Sequence, residues 1–328
     1  MERRMDWFES AREFERATSD SLSPTVFMEL ELQEFPSSLH LPENIEVQPL
    51  EIPGVHRVQD GYRGESKLSY FMDGVQRTVL WKHYDFNGFK VPIFLHFSGA
   101  VIMHRRHCDK FAPLKALYRN KILVPSFLYE AWGDIEGLAD TGADKCWDLN
   151  EIRSKAMIKS RALRQEIEHD LMHRFIAEQP RGDVLIKDGN IFGSMKTEQV
   201  VGVIKTHATI YLQEAYPEIQ QMVWSMPEYY RSMVFSMQLR EGTPRYKVNS
   251  FYLRIHAPHY PEMGLLRVEY TGPTISADKF SSWLIAEKCI RANCSRWDRQ
   301  IYPIQICEDY LRTQIPSIRH LKATLRAI

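Results

Sequence analysis

The longest helical pattern in the sequence constrains the fold most, because it stands between two groups of strand-like segments. The pattern spans residues 149–178. Apolar side chains recur in it at every fourth position, namely Leu163, Ile167, Leu171 and Phe175. This spacing puts them on one face, so the helix is predicted to pack against a body on that face. Pro180 and Gly182 predict its end.

Strand-like segments lie on both sides of this helix. Residues 68–74, 76–84 and 90–104 precede it, and residues 183–193 and 200–212 follow it. These segments are rich in apolar, β-branched and aromatic residues, which is typical of strands. Strands combined with a long helix predict an α/β or an α+β fold.

The other segments are interpreted from the same signals. A short helix is predicted near 111–118, and a pair of strands is predicted at 248–258 and 264–272. A further helix is predicted over 276–294, with Ser276 as its N-cap.

The N-terminal segment, residues 1–65, is predicted to be a helical and extended arm. Its first 20 residues have an amphipathic helical pattern, and five prolines between positions 24 and 53 favour irregular extended chain after that. Residues 66–328 are then predicted to form the main domain. The arm packs either on this domain or on a partner.

Composition excludes several classes of protein. Lysine plus arginine number 42, as do aspartate plus glutamate, so the formal net charge is zero. This argues against a uniformly basic protein that coats nucleic acid, but it is compatible with a local basic groove. The sequence contains no run of about 20 apolar residues, so no membrane span is predicted. The five cysteines are too few for a disulfide scaffold, so we expect a cytoplasmic protein.

Two strand-like segments carry an acid followed by glycine, at Asp73-Gly74 and Asp188-Gly189. Open sheets bind ligands at the carboxyl ends of their strands, and glycine lets a ligand approach the backbone closely. Asp-Gly is also a common turn pair, so a plain turn is the alternative for each. Asp73 and Asp188 are therefore candidate site residues.

A third acid lies on the long helix. Glu168 borders the apolar stripe near Leu171, whereas Glu166 lies on the polar face. We therefore expect Glu168 to point towards the body and Glu166 towards water. A carboxylate that faces the body must be paired, hydrogen-bonded or bound to a metal. The alternative to a metal is an ion pair with Arg164, one helical turn away.

An acid on a first strand, an acid on a helix and an acid on a later strand form a layout similar to that of RNase H-like nucleases. Clustered carboxylates bind hard divalent cations such as Mg²⁺ and Mn²⁺, and two such ions can promote phosphodiester hydrolysis. Lys205 lies in an otherwise apolar segment. It is either a surface lysine with a packed stem or a charge directed at phosphate.

Six short motifs follow one another along the chain. They are FMDG at 71–74, the RxxxE of Arg164 and Glu168, VLIKDGNIF at 184–192, VVGVIKT at 200–206, the pair FYLRI and RVEY at 251–255 and 267–270, and IYP at 301–303. Their order and spacing extend over most of the chain, from about residue 68 to residue 312. In these respects the sequence resembles the NurA family of DNA-end-processing nucleases.

This resemblance implies an α/β fold with an RNase H-like (PIWI-like) core, in which a mixed sheet is flanked by helices. It further implies a homodimer and a Mn²⁺- or Mg²⁺-dependent activity on DNA, as exonuclease and single-strand endonuclease. It also implies a partner, a hexameric ATPase of the HerA type, in DNA repair or anti-phage defence. By motif, Asp73, Glu168 and Asp188 would be the metal ligands, and Lys205 would contact the scissile phosphate.

The last family motif is a Tyr-Pro pair followed by a helix that bears a His or Asp. Here Tyr302-Pro303 is followed by Glu308, Asp309 and Tyr310. By strict spacing the catalytic position falls at Asp309 or Tyr310. Asp309 is taken as the catalytic residue implied by the resemblance, and Glu308 stays open as an alternative.

Departures from the family pattern leave room for an inactive member, which the change at Val75 and the open choice in the terminal motif favour. Val75 follows Asp73-Gly74 where the family has serine, and Asn190 follows Asp188-Gly189 where it has serine or proline. The first hypothesis is a metal-dependent deoxyribonuclease. The alternative is a catalytically inactive adaptor that binds the ATPase or DNA without cleavage. A third hypothesis is a small-molecule enzyme that uses the acids for acid–base catalysis.

Overall fold

The computed structural model describes residues 7–18, 22, 28–29, 41, 44–58, 66–106, 110–180, 182–191, 197–207, 209–240, 247–272, 276–289 and 300–325. The helices in these ranges are α1 Trp7–Thr18, α2 Ser126–Trp132, α3 Leu149–Glu178, α4 Pro217–Ser225, α5 Ala277–Ala286, α6 Tyr302–Gln314 and α7 Ile318–Leu325. The strands are β1 Met28–Glu29, β2 Ile45–Pro49, β3 Val55–Arg57, β4 Tyr70–Phe86, β5 Phe89–Arg105, β6 Phe111–Val124, β7 Leu138–Asp140, β8 Leu185–Asp188, β9 Val200–Ile204, β10 Tyr230–Ser232, β11 Phe235–Leu239, β12 Val248–Arg254 and β13 Leu265–Tyr270.

All thirteen strands in these ranges belong to one sheet, whose main path runs β2-β11-β12-β13-β9-β8-β4-β5-β6-β7. β4, β5 and β6 are consecutive antiparallel strands. After α3, β8 runs parallel to β4, and β9 runs parallel to β8. This is the strand order of an RNase H-like core. The predicted α/β class, with a mixed sheet flanked by helices, is confirmed.

The long helix α3 has the bounds that the sequence predicts. Its predicted apolar stripe is buried, and Asp148 caps its N-terminus by accepting hydrogen bonds from the backbone N–H groups of Asn150 and Glu151. Such a cap satisfies donors that the first helical turn leaves without partners. Neither α3 nor any other helix in the described ranges is long and apolar enough to cross a membrane.

The centre of the sheet has α3 on one face and α6 on the other. Met72 of β4 and Leu185 of β8 pack in the cluster that contains the buried side of α3. Their neighbours Phe71 and Ile186 pack in the cluster that contains the buried side of α6. Because successive side chains in a strand point to opposite faces, this alternation assigns a face to every residue near the acids.

The predicted boundary between the first two strands is wrong. β4 runs without interruption through both, and Asp73 and Gly74 pair with Val101 and Ala100 of β5. Asp-Gly favours a turn only where no neighbouring strand holds the backbone, and β5 pairs along nearly the whole of β4. Asp73 therefore lies inside a strand and not at its end.

The short helix predicted near 111–118 is also wrong, because this segment is the first half of β6. Its Ala, Leu and Lys residues favour helix locally, but pairing with β5 outweighs that preference. Pro113 lies next to a register irregularity in this pairing, where a residue without an N–H is tolerated.

The N-terminal segment packs on the body wherever it is described. Phe14 of α1 is fully buried, with its ring 6.0 Å from that of Trp81 and 5.5 Å from that of Trp132. β2 and β3 extend the sheet by pairing with β11 and β10. Of the two predicted placements, packing on the body is therefore the one that these residues adopt.

A buried polar cluster joins β4, β5 and α3. His96 is fully buried, its Nδ1 lies 2.8 Å from Ser160 Oγ and 3.2 Å from Thr78 Oγ1, and its Nε2 lies 3.0 Å from Ser98 Oγ. Burial, with a smaller effect of Arg119, lowers the pKa of His96 to about 3. The imidazole is therefore neutral at physiological pH.

We expect this histidine to make the protein sensitive to acid. Its pKa is lowered on folding, so between pH 6.5 and 3 the unfolded chain binds the proton more readily and the free energy of unfolding falls as the pH falls. Between pH 6.5 and 5, this loss amounts to about 1.5 kcal/mol. Urea unfolding of the wild type and of His96→Gln across this range measures it. Parallel pH profiles for the two proteins would contradict the prediction.

Candidate functional site

Acidic side chains from three elements meet where β8 ends. Met72 pairs with Lys187 in the parallel register of β4 and β8, so the next residues along the two strands, Asp73 and Asp188, are neighbours. Both continue the alternation that faces α6. Glu308 comes from α6 itself, and the electrostatic effects of Asp188 and Glu308 both reach Asp73. The fold thus brings together two of the predicted acids and one from the terminal motif.

Asp73 is the most perturbed of these acids. It is 6% exposed, and its Oδ1 accepts a hydrogen bond of 2.7 Å from the Gly74 N–H. Burial raises the pKa of Asp73 to about 8, with the Asp188 carboxylate the next cause. Lys205 opposes this shift, and Glu308 adds to it, as does Glu168. Asp73 is therefore largely protonated at neutral pH.

Lys205 points into this group of acids. Its Nζ lies 2.8 Å from Asp188 Oδ2 and donates a hydrogen bond of 2.9 Å to Gln300 Oε1. Burial lowers the pKa of Lys205, but Asp188 and Asp73 raise it by more, so the net pKa is raised. The ammonium group stays charged, and it is held next to the carboxylates.

Glu168 approaches from the opposite, α3 face of the sheet. As predicted, it faces the body, with 3% exposure, whereas Glu166 is exposed and pairs with Arg119. Glu168 Oε1 lies 2.5 Å from Arg164 Nη1, and Oε2 lies 3.1 Å from Lys187 Nζ. The predicted ion pair with Arg164 is therefore present.

Gly74 is what lets Glu168 come this close. A Cβ atom built at Gly74 would lie only 2.2 Å from Glu168 Oε1, which no real contact allows. The space that a side chain would fill at position 74 is thus occupied by the Glu168 carboxylate. The glycine of the Asp-Gly pair serves close approach and not a turn.

Lys187 is a site residue that the sequence interpretation missed. Its ammonium group is mostly buried, and besides Glu168 it contacts the carbonyl oxygens of Asp188 at 3.2 Å and Asn190 at 3.4 Å. It therefore ties the helical acid to the loop after β8. The signal was available, because a lysine inside an apolar strand is the same feature that singled out Lys205.

A buried ion pair braces the same loop from β13. Glu269 is fully buried, its Oε2 accepts a hydrogen bond of 2.9 Å from the Ile191 N–H, and its Oε1 lies 2.9 Å from Arg267 Nη2. Gly202 of β9 lets the same loop pack closely, since a Cβ atom at position 202 would lie only 2.6 Å from the Gly189 carbonyl oxygen. The backbone after Asp188 is therefore held by contacts from β9 and β13, which follow one another on the same side of β8.

The terminal motif brings Glu308, and not Asp309, to the acids. Glu308 is buried and accepts hydrogen bonds of 3.0 and 2.6 Å from Arg312. Asp309 is exposed, and its Oδ2 accepts a hydrogen bond of 3.5 Å from Gln305. Adjacent residues of a helix point about 100° apart, so only one of the two can face β4. Glu308 is therefore the acid of this motif that the structure places beside Asp73, and Asp309, the predicted catalytic residue, lies outside the group.

The donor chemistry of the acids suits a hard divalent cation, but their arrangement is not a finished ligand set. Carboxylate oxygens are what Mg²⁺ and Mn²⁺ prefer, and such a cation would offset both the burial and the repulsion that raise the pKa of Asp73. In the described part of the chain, however, no group of three His, Cys, Asp or Glu side chains is placed to hold a metal. Glu168 and Asp188 are each paired with a cation of the protein.

Comparison with known proteins adds no relative to this geometry. No protein-family model matches the chain, and no curated protein matches it significantly.

Proposed function

We propose that the protein is a metal-dependent deoxyribonuclease that hydrolyses phosphodiester bonds at DNA ends, as exonuclease and single-strand endonuclease. The observation that carries the proposal is the state of Asp73. Its carboxyl is buried next to Asp188 and Glu308, and its pKa is raised to about 8. A strongly perturbed acid next to charged partners destabilises the fold and is typical of functional sites.

The residues proposed to hold Mn²⁺ or Mg²⁺ are Asp73 and Asp188, which face α6. The resemblance to the NurA family adds Glu168 as a third ligand, and its carboxylate lies on the α3 face of the sheet, against Gly74. Glu308 adds negative charge from α6. When bound, the cation supplies Lewis acidity and lowers the pKa of water at the phosphodiester. Asp73 must lose its proton to act as a ligand, and Glu168 must exchange Lys187 or Arg164 for the ion.

Lys205 is proposed to contact the scissile phosphate. Its ammonium lies 2.8 Å from Asp188, so a small movement can exchange this carboxylate for a phosphate oxygen. Gln300 holds the other side of the ammonium group and keeps it directed at the acids. The charge of Lys205 offsets negative charge that develops on the phosphate during hydrolysis.

The proposed partners follow from the resemblance to the NurA family. They are DNA, a second copy of the chain and a hexameric HerA-type ATPase, in DNA repair or anti-phage defence. The sequence has no GxxxxGK[ST] motif, so ATP-driven movement of DNA by a P-loop needs a partner. Delivery by a motor also suits a nuclease without net positive charge.

The second candidate function is an inactive adaptor that binds the ATPase or DNA. One observation favours it. Glu168, Asp188 and Glu308 each have a positively charged partner within the protein, which leaves no ready-made ligand set among the described residues. In an adaptor, these ion pairs would only stabilise the fold.

A cleavage assay separates these functions. Linear duplex and single-stranded DNA are incubated with the wild type and with Asp188→Asn, in Mn²⁺, Mg²⁺ or EDTA. We expect metal-dependent degradation by the wild type and a loss of at least a hundredfold in Asp188→Asn, because the variant lacks one charged ligand. Full cleavage by Asp188→Asn would remove Asp188 from the site. If the wild type does not cleave, even with its ATPase and ATP, the adaptor is supported.

A matched pair of variants on α6 tests in the same assay which acid of the terminal motif takes part in cleavage. We expect Glu308→Gln to lose at least tenfold in rate, because it removes a charge that acts on Asp73 and Lys205. Asp309→Asn, one residue away and exposed, should cleave at close to the wild-type rate. The reverse pattern would restore Asp309 as the catalytic acid.

A further inference from the structure

Two histidines lie one helical turn apart on the outer side of α3. His169 is half-buried and His173 is exposed. Their Nε2 atoms are 3.2 Å apart, and their rings meet edge to face at 85° with centroids 4.3 Å apart. Residues four apart on a helix share a face, so this pair is set by the backbone.

The separation of the two nitrogens is that of a metal chelate. Zinc binds imidazole nitrogen at 2.0–2.1 Å in tetrahedral geometry, which places two such nitrogens about 3.3 Å apart. Here each ring directs the same nitrogen, Nε2, towards the other ring. A hydrogen bond between the rings uses one N–H and one lone pair, and a metal ion replaces that proton and uses both lone pairs.

The neighbouring acids do not complete a catalytic zinc site. Glu166 and Asp170 flank the pair, but both are directed to Arg119, Asp170 at 3.7 Å. Within the ranges that the structure describes, no third His, Cys, Asp or Glu joins the two histidines as a ligand. A metal ion at this pair would therefore take two ligands from the protein and the rest from water. Such an arrangement lacks the enclosed three-ligand geometry of zinc hydrolases.

We propose that His169 and His173 form a binding site for a borderline transition-metal dication, such as Zn²⁺, Ni²⁺ or Cu²⁺. Imidazole favours these ions, whereas the carboxylates of the candidate site, Asp73, Asp188 and Glu168, favour Mg²⁺ and Mn²⁺. The site begins one residue after Glu168, so a bound ion would stabilise the helical turn that follows this acid. This proposal does not depend on nuclease activity.

Metal titration of the whole protein tests the site. Ni²⁺ binding is measured by calorimetry with millimolar Mg²⁺ present to compete at the carboxylates, and Cu²⁺ is added separately to read nitrogen ligation by electron paramagnetic resonance. We expect one Ni²⁺ site and a two-nitrogen Cu²⁺ signal in the wild type. His173→Ala should weaken Ni²⁺ binding at least tenfold and reduce the Cu²⁺ signal to one nitrogen.

Two further variants keep the result interpretable. His320→Ala removes an exposed histidine from α7 and should bind as the wild type does. His169→Gln, which keeps a polar side chain on the half-buried position, should lose affinity as His173→Ala does, and circular dichroism checks that both stay helical. Equal Ni²⁺ affinity in the wild type and in either α3 variant would overturn the proposal, as would equal loss in His320→Ala.

Discussion

The Asp73→Asn variant is expected to be more stable than the wild type at pH 7 in the absence of metal, by on the order of 3 kcal/mol. Its amide cannot ionise, and otherwise it has the shape of the protonated acid. The wild type must keep a proton on Asp73 that the unfolded chain gives up, because burial next to Asp188 and Glu308 raises the pKa of Asp73 to about 8. The same substitution should abolish metal-dependent cleavage.

The gain in stability of Asp73→Asn should depend on pH. The pKa of Asp73 is raised on folding from its ordinary value of 3.8, so the native state binds the proton more tightly between pH 4 and 8. Stability from this group is fully present at low pH and is lost as the pH rises through 8. The difference between variant and wild type should therefore be small at pH 4 and should grow up to about pH 8.

Urea unfolding in EDTA at pH 4, 6 and 8 measures the difference. Asp85→Asn is the matched control, because Asp85 lies on the same strand but is exposed and pairs with Lys90 at 2.8 Å. It should not give a gain that grows with pH. A variant at position 73 that is less stable than the wild type at every pH would mean that the Asp73 carboxylate is ionised and stabilising.

The Gly74→Ala variant is expected to lose about 3 kcal/mol of stability and to displace Glu168 from its place against β4. The new methyl group would lie 2.2 Å from Glu168 Oε1, and the carboxylate can retreat only by breaking its contacts with Arg164 and Lys187. The free energy of unfolding and the Mn²⁺ affinity should therefore fall together.

A double-mutant cycle isolates the cause. In a Glu168→Ala background, Gly74→Ala should cost less than about 1 kcal/mol, because the nearest atoms to the new methyl group all belong to Glu168. In a Glu166→Ala background, which removes an exposed acid of the same helix, the full cost should remain. Equal costs in both backgrounds would mean that the strand, and not Glu168, rejects the methyl group.

Much of the fold was predictable because its signals are local and repeated. The bounds of α3 follow from an apolar period that persists over the whole helix, and Ser276 caps α5 as predicted, by accepting from the Lys279 N–H. The segment 111–118 was not predictable in this way. Its local preference for helix is outweighed by pairing with β5, which is a contact that only the folded chain contains.

The residues of the candidate site also differ in whether local sequence reveals them. The position of Asp188 at the end of a strand and the inward direction of Glu168 could be inferred, since each depends on neighbouring residues in the sequence. Glu308 could not be separated from Asp309, because the choice depends on which side of α6 faces β4. That the group which approaches Gly74 closely is the Glu168 carboxylate could not be inferred either, since Glu168 is remote in sequence.

The antiparallel strands β4, β5 and β6 follow one another directly in the chain, and this has a consequence for folding. Contacts between segments that are close in sequence form early, because they close short loops. Asp73 belongs to this meander, whereas Asp188, Lys205 and Glu308 all come after α3. The meander can therefore form while Asp73 is still in water, and the repulsion among the acids arises only when β8 and α6 dock. We therefore expect the site to be assembled in a late step, and we expect the repulsion among the acids to slow that step and not the formation of the meander.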